Sequence, residues 1–479
     1  MRFRFAPGRG PAVAATAMVA TSQAPATLAG LEVLRAGGNA ADAAVAAAAC
    51  LCVSEPMSNG LGGDGFTLVW DGERVHGLDA GGASPLHAPA SPPALDGPES
   101  VVVPAIVAGW AELAFRYGRL GLDRLLKPAI DLAERGVAAG YNCSHSWARA
   151  QRAPAEFGPP PQVGEVFRIP GLAGTLRAIA DDGPDAFYRG RIAEAMTEAS
   201  WLDADDLARA APQWVAPLST RYRGTEIFEM PAPTQGVAAL EALAILESLD
   251  DRVAPSHLVR AVALALEDAR RYVRDGADCS KLIAADYIAE RALSTPVLAP
   301  EPSGGTVYLC VVDGDGMAVS HIQSLYEHFG SGVTVPGTGI VLNNRSACFS
   351  VGGVVESGRR PYHTTIPGML VEGGRLRGPF GVMGGFIQAQ AHVQLISSLL
   401  DDGLDPQAAL DRPRFRLDNG AVHLEEGLWS EADRYRLPGA RIVLDEDRIT
   451  FGGGQAIQLV DGHMLGGSDP RKDGFAAGW

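Results

Sequence analysis

The pattern of apolar and polar positions changes character along the 479 residues. At first, strand-like and helix-like stretches alternate. "AATAMVA" predicts a strand over residues 13–20. "ATLAGLEVLRAGGN" has the apolar spacing of a helix and stops at a glycine pair. Asn39 can cap the next helix, "AADAAVAAAACLCV", which is apolar on every side and so expected to be buried. "GFTLVW" and "RVHGLDA" predict a hairpin, and "VPAIVAGWAELAFRYG" and "DRLLKPAIDLAERG" two amphipathic helices.

Residues 172–275 are mostly helical in pattern, interrupted by "PQWVAPLSTRYRGTEIFEMP", which predicts a pair of strands. "SHLVRAVALALEDARRYVRDG" predicts a long helix that Ser256 can cap. Residues 294–305, "STPVLAPEPSGG", read as a linker. Strands dominate after it, with one clear helix, "FIQAQAHVQLISSLLDDG". This order predicts a layered α+β or α/β fold. The halves 1–305 and 306–479 are expected to be chemically distinct but physically one body.

Composition narrows the class. The 58 glycines and 33 prolines follow no period, which fits a turn-rich globular chain. A net charge of −16 argues against nucleic acid or an anionic membrane as partner. The longest apolar run, residues 43–53, is short of the roughly 20 residues a bilayer span needs. The start "MRFRFAPGRGPAVAATAMVATSQ" mimics a signal peptide, but Pro7, Gly8, Gly10 and Pro11 interrupt it, so it reads as mature protein. The six cysteines form no C-x-x-C pair and no zinc spacing, which fits a reduced cytoplasmic compartment.

Several stretches could carry chemistry. "GLGGDGF" resembles a nucleotide-binding loop, but a helix precedes it and a strand follows, so it reads as a tight turn. "GPFGVMGGFIQAQAHVQ" has strand-turn-helix polarity. Gly384 and Gly385 there make either an oxyanion nest at a helix N-terminus or a plain helix cap. "SGRRPYHTTIPG" and "NNRSACFS" gather polar groups, among them Arg345, His363 and Thr364, at strand ends. Thr306 opens the buried strand "TVYLCVV" just after the linker. A threonine there is ordinarily a β-former. Were the chain cut before it, its α-amine, with a pKa near about 8, could activate its own hydroxyl. A turn centred on Gly314-Asp315 would put Gln323 opposite Thr306 and Ser324 beside it.

Motifs along nearly the whole chain resemble the γ-glutamyltransferase family of N-terminal-nucleophile hydrolases. The set includes "LRAGGNAADAAVAAAACLCVSEPMSNGLGGDGFTLVW", "GPDAFYRG", "PLSTRYRG", "LEDARRYV", "TVYLCVVDGDGMAVS", "FGSGVTVPGTGIVLNNR" and "ALDRPRF". The resemblance implies an α+β, four-layer αββα sandwich. It implies a precursor cut at Gly305–Thr306, giving a large subunit 1–305 and a small subunit 306–479 with Thr306 as nucleophile. Ser324 matches the family's supporting threonine, and Gly384-Gly385 its oxyanion-hole pair.

The substrate pocket departs from the glutamyl-specific pattern. Where glutamyl-specific members read the donor's amine and carboxylate with an arginine, an asparagine, an aspartate and a serine pair, this chain has Gly81, Tyr326, Cys348 and His363-Thr364. "IQSLYEHFGSGV", "RRPYHTTIPGML" and "GPFGVMGGFIQAQAHVQ" are similar instead to the branch of cephalosporin-acylase-like proteins and oxamate amidohydrolase. The expected function is an autoprocessing amidohydrolase or acyltransferase acting on amides of small dicarboxylic acyl groups. Arg345 and His363 would read the carboxylate, and no metal or cofactor is expected. The partners expected are a small amide substrate and the two subunits of one precursor. A true γ-glutamyltransferase and an uncut, non-catalytic binding protein are the alternatives.

Overall fold

The structure is a computed structural model that describes residues 9–249, 253–299 and 304–479. The first eight residues of the signal-like start and residues 300–303 of the linker lie outside the described residues.

Two seven-stranded sheets face each other. One runs, in spatial order, Phe475–Gly478, Met18–Thr21, Gly305–Val312, Ala318–Tyr326, Asp64–Trp70, Val75–Ala80 and Gln213–Val215. The other runs Ala12–Ala14, His463–Ser468, Gly453–Val460, Arg375–Met383, Gly368–Glu372, Thr225–Glu229 and Leu218–Tyr222. Neighbours within both sheets are antiparallel. Each sheet contains strands from both sides of residue 305, so the two halves share one core.

Side-chain alternation in the strand Gly305–Val312 explains the layering. Tyr308, Cys310 and Val312 join Phe66, Leu68, Met369 and Met383 between the sheets. Val307, Leu309 and Val311 face the other way and join the helices Ala24–Arg35, Ala40–Ser54, Leu122–Arg135 and Pro170–Asp182. Gly236–Glu247, Pro255–Tyr272 and Ile387–Leu400 pack on the second sheet. The result is the expected αββα sandwich. A strand covered on both faces needs apolar residues at every position, hence the unbroken run "VYLCVV".

Ala40–Ser54 is buried at every residue. Its Asn39 side chain accepts from the Ala41 and Asp42 N–H groups, and the Asp42 carboxylate accepts from the Asn39 N–H. The hairpin Asp64–Trp70 with Val75–Ala80 forms as expected. No helix among the described residues is long and apolar enough to cross a membrane.

Three local expectations need correction. The strand expected over 13–20 is two strands, one in each sheet, because the Ala15, Thr16 and Ala17 N–H groups turn to the Trp479 carbonyl. The pair expected near residue 220 is three strands, Gln213–Val215 pairing away from the hairpin Leu218–Tyr222 with Thr225–Glu229. Ser256 does not cap its helix: Pro255 takes the first helical position and Ala254 the cap.

Candidate active site

The chain enters the first sheet through Gly304 and Gly305, and neither position has room for a side chain. A Cβ on Gly304 would lie 2.7 Å from the Tyr326 carbonyl oxygen. One on Gly305 would lie 2.7 Å from His328 Cδ2 and 3.1 Å from Ser58 Cα. Two glycines before Thr306 are therefore a packing requirement, not only a flexible lead-in.

Pairing with the next strand shifts at this point. Gly305 pairs with Tyr326 but Thr306 with Ser324, so Leu325 is an extra residue in the partner strand and the bulge sits at the Gly305–Thr306 bond. Ser324 is thus opposite Thr306, and Gln323 is opposite Val307. The expected register was one residue off because the connecting turn is longer. It closes by the Asp313 N–H to the Met317 carbonyl at 3.0 Å, with Gly316 at φ 86°.

The consequence is a short relay. The Thr306 hydroxyl donates to Ser324 Oγ at 3.2 Å, and the Ser324 hydroxyl donates to the Gly305 carbonyl oxygen at 2.6 Å. The Tyr326 N–H donates to the same Ser324 oxygen at 2.8 Å, fixing the rotor. Behind it, the Gln323 amide donates to Asn59 Oδ1 and the Ala48 carbonyl and accepts from Trp110 Nε1, so the strand is held to the helix Ala40–Ser54. Thr306 is 2% exposed.

Thr306 opens onto a cavity of about 290 Å³, lined also by Gly304, Gly305, His328, Gly384, Arg149, Arg152 and Lys472. Gly384 follows the strand Arg375–Met383 and precedes the helix Ile387–Leu400. Gly384 and Gly385 have φ of 129° and 76°, in the range that favours glycine. The two residues therefore form the strand-to-helix turn read from the sequence, with Gly384 on the cavity. The cavity's cations each have an anionic partner. Arg149 meets Asp447 at 3.0 Å, Arg152 meets Glu327, and Lys472 meets Glu55 at 2.7 Å.

None of the five residues expected to bind substrate lines this cavity. Arg345 is fully buried, and its guanidinium grips the Asp64 carboxylate through two bonds of 2.9 Å. The Tyr326 ring covers it, 5.1 Å from centroid to guanidinium carbon. Asp64 takes up the fork that a substrate carboxylate would need, and it also holds Arg345 charged. His363 is buried, with neither ring nitrogen hydrogen-bonded. Burial, with Arg345 and Arg360 nearby, pushes its pKa well down, so it is a neutral imidazole rather than a cation. Cys348 lies 3.9 Å from Arg345 Nη1, and burial pushes its thiol up to about 11. Thr364 is buried, and its carbonyl accepts from the Gln235 amide. Carboxylate reading by Arg345 and His363 is therefore not what this arrangement provides.

His328, Arg149, Arg152 and Lys472 escaped the sequence reading. His328 had a usable signal, since it sits in "SLYEHFGSG" directly after the strand bearing Ser324. The three cations lie in stretches with no motif.

Comparison with known proteins agrees with this architecture. The family model for gamma-glutamyltranspeptidase matches residues 26–479. The chain is 33% identical to the glutathione hydrolase-like YwrD proenzyme of Bacillus subtilis, over 96% of this chain and 98% of that one. It is 34% identical to the oxamate amidohydrolase proenzyme of Klebsiella pneumoniae, over 94% and 96%. The crystal structure of cephalosporin acylase from Bacillus halodurans superposes with a TM-score of 0.93 at 38% identity, covering 100% of this chain and 98% of that one. The chain belongs to the γ-glutamyltranspeptidase family and is an amidase or acyltransferase with the N-terminal-nucleophile hydrolase fold.

Proposed function

We propose that this protein is made as a precursor that cuts itself between Gly305 and Thr306, and that Thr306 is then the nucleophile of an amidohydrolase acting on amides of small acyl groups with a distal carboxylate. The observation that carries this reading is the Ser324 hydroxyl. It touches both the Thr306 hydroxyl and the carbonyl that hydroxyl would attack. Attack of Thr306 Oγ on the Gly305 carbonyl forms an ester as the peptide C–N bond breaks. The released nitrogen becomes the Thr306 α-amine. Water then opens the ester, leaving a Gly305 carboxylate.

In the cut protein that amine takes the hydroxyl proton as Oγ attacks a substrate amide, and returns it to the leaving amine. An acyl-enzyme remains, and water or a second amine resolves it. N–H groups at Gly384 and Gly385 are the proposed donors to the oxyanion. A Cβ on Gly384 would meet Ile387 Cγ2 at 3.0 Å and Gly452 Cα at 3.1 Å, at a φ that L-residues avoid. Gly384→Ala is therefore expected to lower kcat by about 10²–10³ with a much smaller change in KM. Steady-state kinetics on cut protein check this, and a raised KM with intact kcat would reduce the glycines to shaping the pocket.

The choice of donor follows from what surrounds the nucleophile. A γ-glutamyl donor carries an α-ammonium that needs an anionic partner. At the position matching the family's aspartate stands Cys348, buried and neutral at pH 7. The cations on the Thr306 cavity are Arg149, Arg152 and Lys472; each is paired with a carboxylate, so a donor carboxylate would have to compete with Asp447, Glu327 or Glu55 for them. The relatives named above as an oxamate amidohydrolase and a cephalosporin acylase lean toward a donor without an α-amine, and the one named glutathione hydrolase-like leans toward the rival. Glutaryl-p-nitroanilide is expected to be turned over better than γ-glutamyl-p-nitroanilide, compared as kcat/KM. The reverse order would favour a glutathione hydrolase.

A further inference from the structure

Self-cleavage needs a proton acceptor that the finished enzyme does not. Before the cut, the Thr306 nitrogen is an amide and cannot serve as a base; the α-amine exists only afterwards. Some other group in the precursor must take the hydroxyl proton.

The titratable side chains lining the cavity beside Thr306 are His145, Arg149, Arg152, Glu327, His328, Asp447 and Lys472. Most are committed elsewhere. Glu327 accepts from Arg152 and from the Asn344 amide. Asp447 is paired with Arg149, and the Lys472 ammonium is bound to Glu55. His145 lies parallel to Tyr141, where a neighbouring cavity of about 420 Å³ begins. His328 stands apart because it packs on the residue whose carbonyl is attacked. A methyl group on Gly305 would fall 2.7 Å from its Cδ2.

We propose that His328 is the general base of self-cleavage: it accepts the Thr306 hydroxyl proton, which in the uncut chain is donated to Ser324 Oγ, as Oγ attacks the Gly305 carbonyl, and passes that proton to the Thr306 nitrogen as the peptide bond breaks. No other reactant is needed until water opens the ester. The inference rests on the self-cleavage proposed above and assigns the step that the mature mechanism leaves without a base.

The surroundings fit a base of this kind. His328 is half-buried on the cavity, and its partial desolvation, with the Lys472 and Arg149 charges, lowers its pKa to about 4, so the imidazole is neutral at neutral pH. A base this weak is slow, which a single-turnover event tolerates. The charge developing on the Gly305 oxygen offsets the same two cations as the imidazolium forms. The requirement for glycine at position 305 also gains a chemical reason, since any side chain there would push the imidazole away.

The test follows cleavage of chain made in a short cell-free pulse, on a denaturing gel, for wild type, Thr306→Ala and His328→Ala. His328→Ala is expected to cut about 10²-fold more slowly or worse. Added imidazole should restore cutting to folded His328→Ala precursor, increasingly so as pH rises through the free imidazole pKa. Wild type should cut at a pH-independent rate down to about pH 5 and slow as pH falls through about 4. Cleavage of His328→Ala within threefold of wild type would overturn the proposal. So would a slow but folded His328→Ala precursor that imidazole leaves unchanged. If His328→Ala does not fold, the wild-type profile decides, and no acid inflection overturns the proposal. Thr306→Ala separates the two ideas: cutting by Thr306→Ala would end the nucleophile reading itself, whereas normal cutting by His328→Ala alone ends only this inference.

Discussion

Thr306→Ala is expected to remain one uncut chain and to lose hydrolysis of any amide by about 10⁴-fold or more, the scale on which removing a covalent nucleophile acts. The fold should persist. Thr306 contributes one methyl and one hydroxyl to a strand otherwise held by Tyr308, Cys310 and Val312 on one face and Val307, Leu309 and Val311 on the other. Thr306→Ser keeps the hydroxyl donated to Ser324 and is expected to cut more slowly, because the β-branch that fixes χ1 is gone. Denaturing gels and an amide assay on the same preparations check both. Activity from an uncut Thr306→Ala chain would place the chemistry elsewhere.

The second large effect is on stability. Arg345→Ala is expected to destabilise the protein by about 3–5 kcal/mol, because the buried Asp64 carboxyl, whose pKa burial already raises, would lose the partner that holds it ionised and hydrogen-bonded. Replacing both, as Asp64→Leu with Arg345→Met, is expected to recover most of that loss, since the pair's desolvation cost disappears with it. Urea unfolding of wild type, Asp64→Leu, Arg345→Met and the double variant gives the cycle, with Arg345→Ala measured beside them. If Arg345→Ala keeps wild-type stability and loses activity only on donors with a carboxylate, then Arg345 reads substrate after all. The Asp64 contact would then be a resting state.

Much of the architecture was legible because it is written in local periodicity. The all-apolar helix Ala40–Ser54 and its Asn39 cap, the hairpin at Asp64–Trp70 and the strand-turn-helix at Gly384-Gly385 each need only neighbouring residues to specify them. The features that were missed depend on partners far along the chain. The break between Ala12–Ala14 and Met18–Thr21 is made by the carbonyl of Trp479, and no local signal in "AVAATAMVAT" announces it. Arg345 looks like a free cation at a strand end until the fold brings Asp64 to it. Register failed by one residue for a different reason: "DGDG" admits more than one turn, and a single added residue moves every pairing behind it. That shift put Ser324, not Gln323, opposite Thr306 and placed a bulge at the Gly305–Thr306 bond. For the site, the proposed roles of Thr306, Ser324 and Gly384-Gly385 came from motif resemblance. The cations and the histidine beside them did not, because Arg149 with Arg152, His328 and Lys472 converge from three separate segments.

The most direct test is the covalent state of the purified wild-type protein. Intact mass and N-terminal sequencing, after incubation at neutral pH, are predicted to give two chains that remain associated under native conditions. The smaller should begin at Thr306, with a free amine and no other modification. A single full-length chain that hydrolyses amides, or a cut at any other bond, would contradict the account.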